Sequence, residues 1–375
     1  MDFELDDDLR AMRDLAAEII TDHASVERVR EVEISEGGFD RRLWSLLAEA
    51  GLLGVALPEQ AGGAGLGMLG LVTLLEQQGR RVAPVPLWAM LSMAALPIAH
   101  FGTPEQAEWW LPGMLDGSSI VTGAFDGAPG APEVRAERDG ESWTLHGEPV
   151  SVPGAEAAAA IVVPVALSSG ETAVMIVSTG QAGVGITPLS VTSRESHAAV
   201  RFDGATVAAA DVLPGDGGEI ARWTRRRARL ALSALQLGVC EEALRMTAAY
   251  SSERVQFGRP LSTNQAVAVR AADAYLDTES IRLTTQQAAW LMDIGQEEAA
   301  EAATLVAKWW ASRGGLRVVH ATQHLHGGIG ADVDYPIHRY FLWGRQIAFS
   351  LGSADAVAAE LGDALDDGNP LGMLG

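Results

Sequence analysis

Between Ser252 and Gln265 the sequence reads SERVQFGRPLSTNQ. Within six residues it offers a planar cation (Arg254), an amide (Gln256) and an aromatic ring (Phe257), followed by Gly258 and Pro260. Such a set suits a phosphate beside an adenine, through charge-assisted hydrogen bonds and ring contacts. The same residues also read as helix punctuation, with Arg254 complementing the negative end of a helix dipole and Phe257 in the core. A second stretch, QHLHGGIG from Gln323 to Gly330, carries Gly327 and Gly328, where a ligand or another backbone can come close. A plain tight turn would use the same glycines.

Two further stretches carry charge. DYPIHRYFLWGRQ brings Asp334, His338, Arg339 and Arg345 near one another, either as a site or as a helix start with a solvated face. RWTRRRARLA places Arg225, Arg226 and Arg227 where the pattern predicts the first turns of a helix, against the local dipole. An anionic ligand or a carboxylate from another chain would relieve that. The eight histidines show no metal-ligand spacing, and no glycine loop of the nucleotide-binding βαβ type is present.

These residues need a large scaffold, and 375 residues with 48% apolar content can build one. The formal net charge of −22 argues against a nucleic-acid partner, which requires a basic face. The single cysteine, Cys240, excludes an internal disulfide and reads as a small core residue. The acidic, amphipathic N-terminal stretch is not a signal peptide, and no apolar run is long enough to span a bilayer, so the expected setting is cytoplasmic.

Residues 1–117 read as helical, with Thr103, Pro104 and Gln106 forming a helix start of the capping-box kind. Residues 118–214 are rich in Gly, Ala and Val, with short strand-like runs and turn signals, and read as a small antiparallel β domain. From 215 to 375 long helical patterns return: one of about forty residues through YSSERVQFG, one over 262–293, one from Glu297 to Gly314 and possibly further, and a last one from Phe341. The fold class is α+β, in the order helical domain, β domain, helical bundle and oligomerisation domain.

In that order the domains resemble the acyl-CoA dehydrogenase family, and so does the spelling across nearly the whole chain. LPEQAGGAGLG is similar to the family's N-terminal glycine loop, YSSERVQFGRPLSTNQAVAVRAAD to its Arg-x-Gln-Phe-Gly signature, and QHLHGGIGADVDYPIHRYF to its Gln-x-x-Gly-Gly element. The resemblance implies FAD as cofactor and α,β-dehydrogenation of a CoA thioester. A carboxylate base removes the α proton, and an electron-transferring flavoprotein is the electron acceptor.

The departures are one-sided. The family's two base positions match Leu351 and Ala228, neither of which can take a proton. Asp355, Glu241 or Glu242 would be the substitutes in the chain. The β-domain loop reads TGAFDGAPGAPEV, Thr122 to Val134, without most of the family's polar groups. The element that lines the isoalloxazine ring reads Ser151, Val152 and Pro153, and proline offers no N–H. The elements that, by the resemblance, grip the adenosine and diphosphate of a neighbour's FAD remain: Arg254, Gln256, Phe257, Gln323, Gly327 and Gly328. Arg229 matches a position that holds the CoA pantetheine. The resemblance therefore implies the base-less subunit of a hetero-oligomer, as in actinobacterial heterotetramers acting on steroid CoA thioesters, with FAD shared with a partner subunit. The alternatives are a self-sufficient homo-oligomer with a displaced base, and a non-catalytic acyl-CoA-binding or scaffold protein.

Overall fold

The computed structural model describes residues 3–126 and 134–366. In chain order the helices are α1 (Asp7–His23), α2 (Val26–Ser35), α3 (Arg41–Glu49), α4 (Gly67–Arg81), α5 (Leu87–Met90), α6 (Leu96–Phe101) and α7 (Pro104–Leu115). Eight strands follow: β1 (Val121–Gly123), β2 (Val134–Asp139), β3 (Ser142–Gly147), β4 (Val152–Pro153), β5 (Ala160–Leu167), β6 (Thr172–Ser178), β7 (Val184–Leu189) and β8 (His197–Ala208). Then come α8 (Gly217–Glu253), the hairpin strands β9 (Val255–Gln256) and β10 (Arg259–Pro260), α9 (Gln265–Asp293), α10 (Glu297–His326), α11 (Ile337–Phe349) and α12 (Ala354–Asp366). By packing, the chain divides into two compact units. One comprises residues 1–29, 68–83 and 229–375, the other 30–67 and 84–228. None of the described helices is long and apolar enough to cross a membrane.

The unit holding the sheet is built on two branching strands. β5 pairs with β1, β2 and β6, and β8 pairs with β3, β4 and β7, so the sheet curls. It is antiparallel except where β1 and β2 run parallel to β5. Its core is the inward row of Leu145, Val163, Met175, Val200 and Phe202. In the same unit Thr103 and Gln106 cap α7 reciprocally, at 3.2 and 3.0 Å, as the sequence predicts. The Gln106 amide goes on to donate to the Ala210 and Val212 carbonyls, tying the helix start to the end of the sheet.

The other unit is a helical bundle that also carries the β9–β10 hairpin. Its core joins Leu237 and Cys240 of α8, Ile281 of α9, and Ala311 and Val318 of α10. Burial pushes the Cys240 thiol up to about 12, so this cysteine is inert filling. α4 lies against α8 so tightly that a Cβ on Gly238 would meet the Glu76 carbonyl, and one on Gly79 the Leu235 carbonyl. Around that crossing, Arg80 and Arg282 bridge Glu76 and Glu241. Lys308, the only lysine of the chain, is fully buried; its Nζ donates to Ser312 Oγ at 2.7 Å and to the Ile347 carbonyl at 3.1 Å. It thus satisfies a carbonyl at the C-terminal end of α11.

Several boundaries differ from the sequence reading for local reasons. α8 ends at Glu253, before Arg254, and the signature stretch that follows is a hairpin. α8 begins at Gly217, so Arg225 to Arg227 stand two turns inside it and do not oppose its dipole. Arg227 lies over the Trp223 ring, 3.5 Å from its centroid, and Arg225 donates to the Phe125 carbonyl. The last helical pattern is split at Ser350–Gly352, where Leu351 and Gly352 take positive φ. His338 and Arg339 are buried at the start of α11, not solvated.

The close α4–α8 crossing yields a paired test. Gly238→Ala should lower stability by about 3 kcal/mol or more, because the atom its methyl would meet is backbone and overpacking there cannot relax. Gly362→Ala, in open space within α12, should raise it by about 0.5–1 kcal/mol through helix propensity alone. Urea denaturation of both variants reads out the contrast.

Candidate functional site

The signature stretch and the glycine turn, distant in sequence, meet in the helical unit. α8 and α10 end side by side. Tyr250, in the last turn of α8, stacks on His326, the last residue of α10, with ring centroids 4.6 Å apart. Tyr335 closes the group at 5.3 Å from His326. His326 Nδ1 faces the Thr322 carbonyl at 2.8 Å, which assigns the proton to Nδ1 and leaves the buried Nε2 without a partner among the described residues. Burial lowers the His326 pKa, opposed by the bond to Thr322, so the ring stays neutral. The sequence reading did not single out Tyr250, His326 or Tyr335. The available signal was spacing: Tyr250 stands four residues before Arg254, and His326 directly precedes Gly327.

From this junction the two turns project. Gln256 pairs with Arg259 and Val255 with Pro260, so Phe257 and Gly258 form a two-residue hairpin turn with φ of 55° and 79°. Phe257 is 99% exposed, which excludes it from any core of this chain. Arg254 is also exposed, and its guanidinium makes no ion pair among the described residues. The Gln256 amide donates to the Val255 carbonyl, which leaves its oxygen available.

On the other turn, Gly327 has φ 65° and ψ −140°, a conformation essentially reserved for glycine. Gly328 faces open space. The Gln323 amide donates to the Gly330 carbonyl at 3.0 Å, closing the turn. A cation, two amide oxygens, an exposed ring and an uncovered glycine backbone therefore project from one end of the bundle. Donors, acceptors, a ring and an open backbone of this kind fit the adenosine and diphosphate end of a dinucleotide.

Neither position that the resemblance matches to a base carries an acid. Leu351 is buried at 3% exposure in a left-handed turn, and Ala228 is fully buried. Asp355 is exposed in the first turn of α12, where it complements the helix dipole. Glu241 is neutralised by Arg80 and Arg282, and Glu242 by Arg245 at 2.7 Å, so neither is a free base. Arg229, expected to hold pantetheine, is engaged within the chain. It grips Glu360 through both terminal nitrogens at 2.6 and 2.7 Å and donates from Nε to the Leu351 carbonyl at 2.9 Å. It staples α8 to the Leu351 turn and to α12.

In the sheet unit, Val152 and Pro153 form β4 against Ala198 and His197 of β8. Thr122 Oγ1 donates to the Pro153 carbonyl at 2.6 Å. Ser151, held at φ 64°, contacts His197 Nδ1 through its hydroxyl at 3.1 Å. Of the polar-poor loop TGAFDGAPGAPEV, residues 127–133 lie outside the described residues.

Comparison with known proteins places the chain in a family. Residues 6–118 match the acyl-CoA dehydrogenase N-terminal domain and residues 215–364 its C-terminal domain. The chain is 37% identical over 371 residues to acyl-CoA dehydrogenase FadE27 of Mycobacterium tuberculosis, covering 97% of this chain and 99% of that protein. Among solved structures, a chain of a variant of the Tcur3481–Tcur3483 steroid ACAD is 47% identical, with TM-score 0.90, covering 96% of this chain and 98% of that one. A chain of the ChsE4–ChsE5 complex from Mycobacterium tuberculosis is 37% identical, with TM-score 0.92, covering 98% and 99%. The chain belongs to the acyl-CoA dehydrogenase family, a family of flavin-dependent oxidoreductases.

The hairpin turn makes a stability test available. A phenylalanine at positive φ is strained by about 1 kcal/mol, whereas asparagine tolerates that region. Phe257→Asn should therefore raise the stability of the isolated chain by up to about 1 kcal/mol in thermal unfolding, since no internal contact is lost.

In the sheet unit the test is one of pH. Burial raises the Glu195 carboxyl to about 7 and lowers His197 to about 4. A raised acid contributes stability that is lost as pH climbs through its folded value; a lowered histidine contributes stability that is lost as pH falls. Their slopes cancel between about 4.5 and 6.5. Glu195→Gln should remove one slope, so its stability relative to the parent should climb with pH from about 4.5 to 7 by at most about 1.4 kcal/mol per unit.

Proposed function

We propose that this chain is the base-less subunit of a hetero-oligomeric, FAD-dependent acyl-CoA dehydrogenase, and that it completes the flavin site of a partner subunit of different sequence. The observation that carries the reading is the outward set of Arg254, Gln256, Phe257, Gly327 and Gly328, with Gln323 bracing the second turn, combined with an apolar, buried Leu351 at the turn matched to the base. A homo-oligomer would repeat the missing base in every cleft. A partner with an intact glutamate would supply what is absent here, and this chain would supply the far end of the cofactor.

In this assignment Arg254 neutralises a diphosphate oxygen by charge-assisted hydrogen bonds. Phe257 covers the adenine, and its ring is worth about 1–3 kcal/mol of stacking once desolvated. The oxygens of Gln256 and Gln323 accept from adenosine donors, and the bare backbone at Gly327 and Gly328 lets the diphosphate approach. Tyr250 and His326 keep the two turns in register. FAD, when bound, supplies the hydride acceptor for α,β-desaturation of the CoA thioester. The proton acceptor belongs to the partner, as does the choice of acyl group; a steroid side-chain thioester is the class suggested by the relatives. Electrons leave through an electron-transferring flavoprotein. The working compartment is the cytoplasm.

The reading in which Asp355 serves as a displaced base is disfavoured by its exposure on the outer first turn of α12. Co-expression with a glutamate-bearing acyl-CoA dehydrogenase subunit from the same genome should give a mixed assembly with roughly one FAD per pair of subunits. Arg254→Ala should leave the assembly intact while weakening flavin retention about tenfold or more, the usual scale for a charge-assisted contact. Full retention of flavin by Arg254→Ala would contradict the assignment.

A further inference from the structure

Along the same unit, the N-terminal part of α9 stands almost free of its own chain. From Gln265 to Leu276 only Ala274 is buried. Val269 is 53% and Leu276 62% exposed, which a finished surface rarely tolerates in a cluster. Between this stretch and α10 lies a groove of about 1170 Å³ whose walls include Val269, Leu276 and Leu316 together with Arg270, Arg313 and Arg317.

Its charge is opposite to that of the molecule. The chain carries −22 overall, yet three arginines line the groove against two carboxylates, Asp273 and Asp277. Asp277 is committed to Arg317, at 2.8 Å from Nε. Arg270 and Arg313 make no ion pair among the described residues. Desolvation, then Arg345 and Arg270, lower the pKa of His320 at the same wall, so this ring adds no charge but registers a positive field.

We propose that this groove receives a helix of the partner subunit that presents an apolar ridge flanked by carboxylates. This rests on the hetero-oligomer reading and specifies the partner's chemistry. The groove runs on the α9 that begins just past the Phe257 hairpin, so the same partner would cover both. A second copy of this chain is the competing occupant: in a closed pair of identical chains the groove would meet another patch of the same surface, and the self-association arm of the test separates the two. An acidic helix fills the hollow and neutralises both guanidinium groups in one step.

The test uses the full chain and two synthetic amphipathic helices sharing one leucine stripe, one flanked by glutamates and the other by lysines. The glutamate peptide should bind at least about tenfold more tightly in about 0.15 M salt, and should protect residues 265–276 from hydrogen exchange. The pair Arg270→Glu/Arg313→Glu should reverse the preference, and the milder Arg270→Gln/Arg313→Gln should erase it. Equal or tighter binding of the lysine peptide, binding of neither, or protection of 265–276 by self-association at high protein concentration would overturn the proposal. Flavin content enters none of these readouts. Full flavin retention by Arg254→Ala with the peptide preference intact would sink the cofactor assignment alone, and loss of the peptide preference with flavin release by Arg254→Ala would sink the groove alone.

Discussion

The adjacency of the ends of α8 and α10 is the constraint on which everything functional in this chain depends. The bundle core brings the two helices together, and Tyr250 stacked upon His326 joins their ends. Without that registration the hairpin at Phe257 and the turn at Gly327 would be two unrelated loops on two long helices. With it, a cation, two amides, a ring and a bare backbone share one end of a bundle. Burial disfavours the charged form of His326, so the contact is a stack of rings and not an ion pair. The aim of the two turns is therefore fixed by packing, and their side chains are left free for a ligand.

The same logic explains what the chain does with residues that would bind substrate or do chemistry in a self-sufficient enzyme. Arg229 is consumed by Glu360 and the Leu351 carbonyl. Glu241 is consumed by Arg80 and Arg282. Each charge is paired inside the unit, and removing its partner would leave Arg229 or Glu241 largely buried and uncompensated. The arginines at the hairpin and in the α9 groove, Arg254, Arg270 and Arg313, make no ion pair among the described residues, and both places face outward.

Much of this was legible in the sequence. The order of helical, β and helical segments follows from periodicity, and the capping of α7 from Thr103, Pro104 and Gln106 alone. The two motif stretches could be located, but their relation could not, because a contact between Tyr250 and His326 depends on how two helices end. Phe257 read equally well as core or as clamp until its turn was seen to be a hairpin; two consecutive positive φ values lift it clear of the helix. The split between α11 and α12 was hidden because leucine at position 351 gives no turn signal, and its left-handed conformation is imposed by packing and by the bond from Arg229. His338 and Arg339 looked solvated by composition and are buried, since charge alone does not report whether a helix start is covered by its neighbours.

The most direct test of the central claim is titration of the isolated chain with FAD, followed by flavin fluorescence and by acyl-CoA turnover with an artificial electron acceptor. The account predicts no saturable flavin binding and no turnover from this chain alone. A yellow homo-oligomer that dehydrogenates an acyl-CoA unaided would contradict it.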